Sequence, residues 1–128
     1  MAGIKKIELA SANGPVTVEI VIGQAQFGRY ELALYDTEGK NPVVIGEGIS
    51  SDDKVDSFVM DQAVADLDGR FLSWSANLIP VGGEQNPRYS VILHVTQQSD
   101  ERPGAPIIEE GELKEPRAIF GFARLEVV

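Results

Sequence analysis

The sequence predicts an all-β fold, a two-layer antiparallel β-sandwich of about seven to nine strands. Three features point there. Apolar and polar residues alternate in one short run after another, the period of a strand with one buried face. Between the runs stand clusters of Gly, Asn, Asp and Pro, which supply the positive or fixed φ that turns require. Six of the seven prolines fall in or beside those clusters, and Pro116 precedes the last run, as a residue without an N–H must if the ladders are to stay intact.

Taken in order, strands are expected near 4–10, 15–23, 25–36, 43–49, 55–60, 70–79, 88–98, 106–110 and 117–127. In the second, Val16, Val18, Ile20 and Ile22 share a face against Thr17 and Glu19. In the third, Tyr30, Leu32 and Leu34 oppose Glu31, Ala33 and Tyr35. The 70–79 run sets Leu72, Trp74, Ala76 and Leu78 against Phe71, Ser73, Ser75 and Asn77, so Trp74 reads as core. In 88–98, Tyr89, Val91, Leu93 and Val95 alternate with Ser90, Ile92, His94 and Thr96. The last run puts Ile119, Gly121, Ala123, Leu125 and Val127 on one face and Phe120, Phe122, Arg124 and Glu126 on the other.

Four segments carry particular expectations. Gly28, inside a strong strand pattern, suggests a bulge or a bend. From Asp56 to Leu67 the residues Val59, Ala63, Val64 and Leu67 could form one helical stripe, so at most one short helix is expected near 56–67. The Glu-rich stretch from Pro103 to Pro116 suits a sheet edge or a solvated loop, where charge guards against edge-to-edge aggregation. Gly82-Gly83 reads as a hairpin tip, lacking the spacing and lysine of a phosphate loop.

The motif Val64-Ala65-Asp66-Leu67-Asp68-Gly69, followed by Phe71 and Trp74, resembles the inter-sheet corner of immunoglobulin-like and fibronectin-like domains. The likeness is architectural, without the cysteine pair or corner tyrosine; it implies an immunoglobulin-like or related topology and no activity.

At 128 residues the chain reads as a single domain, 1–128, large enough to fold without disulfides or a structural metal. It has no cysteine, which excludes thiolate chemistry and zinc–thiolate sites and fits a reducing, cytoplasmic setting. No signal peptide or membrane span is read. A formal charge of −9 argues against nucleic acid and anionic lipid as partners. Phe120-Gly121-Phe122-Ala123-Arg124 has a superficial likeness to an RNA-recognition strand, but the basic-glycine lead-in is missing.

Catalysis finds little support. A nucleophilic triad could use only His94, the sole histidine, which alternation places mid-strand as a half-exposed hydrogen-bonding residue. No nucleophile elbow accompanies it. Calcium is the sharper site hypothesis, because it takes oxygen ligands from acidic loops. Asp52, Asp53 and Asp56 form one candidate set and Asp66 and Asp68 another, in loops 51–56 and 61–68 that could equally serve a carbohydrate. Solvated turn acids are the plainer account of them.

The leading expectation is a non-catalytic protein-interaction or structural domain with a protein partner or a second copy of itself. It rests on strands that are apolar on both faces: Val21, Ala33 with Tyr35, Ile92, and Phe120 with Phe122. One core has one inside, so such strands imply further cover. Phe120, Phe122, Tyr35 and Phe71 are the candidate interface residues, with Tyr35 and Phe71 the aromatics first expected to be exposed.

Overall fold

A computed structural model describes residues 5–24, 26–51, 54–81 and 87–128, with only the backbone of Ser51. Among the described residues, ten strands build two sheets packed face to face. The first sheet has the order β1 (Lys5–Leu9), β10 (Arg117–Val127), β6 (Phe71–Ile79), β3 (Phe27–Tyr35) and β4 (Val43–Ser51). The second runs β5 (Val55–Val59), β2 (Thr17–Gly23) and β7 (Arg88–Gln97). The free side of β7 is shared by β8 (Asp100–Glu101) and β9 (Ile107–Glu112). The all-β sandwich expected from the alternation is therefore the fold, with the two-residue β8 among its strands.

The faces follow the period. Val18, Ile20 and Ile22 of β2 and Tyr89, Val91, Leu93 and Val95 of β7 point inward from one sheet. Tyr30, Leu32, Leu34, Leu72, Trp74, Ala76 and Leu78 point inward from the other, and all join one core. Trp74 is buried, as expected, and its indole lies across Gly121, its partner in β10. A Cβ at Gly121 would come within 2.5 Å of Trp74 Cζ2, so the flat ring needs a residue without a side chain beneath it.

Two expectations are corrected. The sandwich is not wholly antiparallel, because β1 pairs parallel with β10; two strands so far apart in sequence need no tight hairpin between them. Gly28 marks no bulge: β3 keeps regular register with β4 and β6 through it. The irregularity falls between Leu32 and Ala33, whose β4 partners are Gly46 and Val44 and leave Ile45 between them. Gly28 is small for packing, since a Cβ there would stand 2.7 Å from Ile22 Cδ1 and 2.8 Å from Leu78 Cδ2. At most one short helix was expected near 56–67, and a single short turn is what forms there. Val59 belongs to β5 and is exposed, while one 3-10 turn, Val64–Leu67, is enough to bury Val64 and Leu67.

The Glu-rich segment supplies the edge strand β9, paired on β7. Two buried glutamines, not anticipated, act as struts. Gln97 donates from Nε2 to the carbonyls of Ala10 and Gly14 at 2.9 and 3.0 Å and accepts the Ala10 N–H on Oε1 at 2.8 Å. Gln26 donates to the Arg88 carbonyl and accepts the Val81 N–H. Each satisfies backbone groups that sheet pairing leaves over. The hairpin tip expected at Gly82-Gly83 lies outside the described residues.

Candidate functional site

The two acidic loops could form one site only if the segment between them folded back. Strand register places the described residues that flank them at opposite ends of the sandwich. Ser51, which precedes the first loop, pairs with Phe27 at the start of β3, whereas Phe71, which follows the second, pairs with Tyr35 at its end. Asp52 and Asp53 lie outside the described residues.

The other acids have structural partners or stand alone. Asp56 accepts a 2.5 Å hydrogen bond on Oδ2 from the Tyr30 hydroxyl and lies 3.6 Å from Lys54 Nζ. Asp68 accepts the Val127 N–H at 2.9 Å, and Asp66 sits in the 3-10 turn. Among the described residues no three His, Asp or Glu side chains gather to hold a metal ion. His94, on the outer face of the second sheet, shares a 2.5 Å hydrogen bond through Nδ1 with Glu101, whose other oxygen accepts the Val95 N–H.

Tyr30 yields a pH-dependent expectation. Burial foremost, then the hydrogen bond to Asp56 and its negative charge, raise the hydroxyl above the ordinary phenol range. The folded chain therefore holds a proton that the unfolded chain releases near pH 10. This contribution to stability is complete below about pH 10 and is lost as pH climbs toward the higher folded-state value. Tyr30→Phe is expected to remove about 1–2 kcal/mol at neutral pH. In urea midpoints compared from pH 8 to about 11, the difference between wild type and Tyr30→Phe should shrink as pH rises; a constant difference would refute the assignment.

The four candidate interface residues come together on the outer face of the first sheet. There β6 forms the floor, with Phe71, Ser73 and Ser75 facing out, and β3 and β10 flank it. Tyr35 and Glu31 rise from β3, and Phe120 and Phe122 from β10, enclosing a groove of about 530 Å³. Phe122 meets Phe71 edge to face, with ring centroids 6.0 Å apart. Phe120 is 80% exposed and Phe122 48%, so the most exposed aromatic is on β10 and not among the two first expected. Tyr35 and Phe71 are half-buried.

A tight turn closes one end of the groove. Asp36 Oδ1 accepts the N–H groups of Glu38 and Lys40 at 2.9 and 2.8 Å, and Oδ2 accepts from Asn41 Nδ2. The Lys40 N–H first, and then the Asn41 amide, hold the Asp36 carboxyl below its usual range. This turn sets Glu38 and Gly39 against the groove. Sequence alternation had put Ser73, Ser75 and Glu31 on this face, but Glu38 enters from a loop and carries no periodic signal.

Compared with known proteins, the chain matches no family model, no curated protein and no solved structure. Among the described residues no helix is long and apolar enough to cross a membrane.

Proposed function

We propose that the chain is a non-catalytic binding domain that docks a protein partner on the outer face of its five-stranded sheet. The observation that carries this reading is the aromatic groove. The solvated side of an antiparallel sheet is ordinarily polar. Here Tyr35, Phe71, Phe120 and Phe122 converge on that side around a concave floor of serines. Aromatic rings are enriched at interface cores and among the residues that carry binding energy.

Because the Phe120 side chain stands largely in solvent, its loss should separate binding from folding. Phe120→Ser is expected to change unfolding free energy by no more than about 0.5 kcal/mol. The same variant should lose the partner that immobilised wild-type protein retains from its native cell extract. If wild type self-associates in light scattering and Phe120→Ser does not, the partner is a second copy. A destabilisation of about 2 kcal/mol would make the ring structural, and identical recovery by both proteins would move the binding face elsewhere.

A further inference from the structure

The groove is one-sided in charge. Glu31 and Glu38 line it, and among the described residues no lysine or arginine does. Across the β3–β4 ladder Glu31 stands directly opposite Glu47, a like-charge pair that disfavours the sheet unless a cation lies over it. Neither carboxylate has an ion-pair partner within 4.0 Å among the described residues. Among the described residues Glu38 reaches only Lys40, at 3.9 Å with both side chains more than 70% exposed, a contact too solvated to neutralise it. Five aromatic side chains, with Ser73, Ser75 and two glycines, make up the rest of the lining, and the face of an aromatic ring attracts a cation.

Resting on the reading of this face as a docking surface, we infer that the segment it receives is apolar and carries an arginine. The guanidinium stacks on the Phe120 and Phe122 rings and turns its donors to Glu31 and Glu38. Arginine fits better than lysine because its planar group stacks on rings and forks onto a carboxylate at once, and it is less strongly hydrated. The partner's charge also complements the −9 of this chain, which disfavours a second copy as the occupant.

The test uses the full chain and two short capped peptides, leucine-arginine-leucine and its counterpart with citrulline, a neutral group of nearly the same shape. Calorimetry is expected to show the arginine peptide binding at least about tenfold more tightly, with the difference narrowing as ionic strength rises. Glu31→Gln should cut that preference about fivefold and leave citrulline binding unchanged. Phe120→Ser should weaken both peptides.

Equal affinities would overturn the charge assignment. If both peptides are then lost in Phe120→Ser, the docking face itself survives. Absence of binding by either peptide up to about 5 mM overturns the inference. So does Phe120-dependent self-association, which would place a second copy in the groove.

Discussion

Gly104→Ala is expected to destabilise the domain by about 3–5 kcal/mol, a large share of the stability of a domain this size. Gly104 has φ of +96°, where an L side chain is already strained by about 1–3 kcal/mol. An added Cβ would also fall 1.9 Å from the Lys6 carbonyl oxygen and 3.1 Å from Ile7 Cα. These are backbone atoms of a paired strand, and no rotamer change relieves the clash. The loop around Gly104 would have to lift, and with it the Glu8 N–H bond to the Pro103 carbonyl at 3.0 Å and the Arg102 Nε bond to the Glu8 carbonyl at 3.1 Å.

That loop covers the outer edge of β1, whose Ile7 and Leu9 are completely buried. Faster amide exchange confined to β1 and its neighbours should accompany the loss. Gly14→Ala serves as the control. Its φ of +78° is comparable but nothing lies within 4 Å of the added carbon, so strain alone, about 1–2 kcal/mol, is expected. If denaturant unfolding gives the two variants the same cost, the latch does not exist.

The second large effect lies at the centre of the core. Trp74→Ala should cost about 3–5 kcal/mol, because it leaves a cavity between sheets that cannot collapse without moving strands. The neighbouring glycine makes this a pair property. Gly121→Ala alone should cost about 1–3 kcal/mol, since the new carbon would lie 2.5, 2.7 and 2.9 Å from three indole atoms. In a Trp74→Leu background the same change meets a shorter, flexible side chain and should be nearly neutral. A double-mutant cycle is therefore expected to show coupling of at least about 1 kcal/mol. Additive costs would mean that the indole shifts freely and Gly121 is small for some other reason.

The aromatic groove was half legible in the sequence. Phe120 and Phe122 stand out because they break the polar face of a strand whose other face is already apolar, and Tyr35 and Phe71 do so for the same reason. What no local pattern reveals is that β10 and β3 both border β6, which brings four residues from three distant segments to one patch. Glu38 could not be found by period at all, because a capped turn and not a strand carries it. Whether the two acidic loops share an end of the fold was equally beyond any local pattern. The strand β5 runs between them, and strand register sends the described residues that flank them to opposite ends.

Read alone, the sequence determined which side chains leave water and where the chain turns, because both are local: alternation has period two, and proline, glycine and asparagine act on their own φ. Tertiary structure decided which strands are neighbours, that β1 joins β10 in parallel, that Gly28 and Gly121 are small for their partners' sake, and that Gln26 and Gln97 are buried struts. These depend on hydrogen bonds and close contacts between residues tens of positions apart, and a periodic pattern holds no record of which distant strand will lie alongside it.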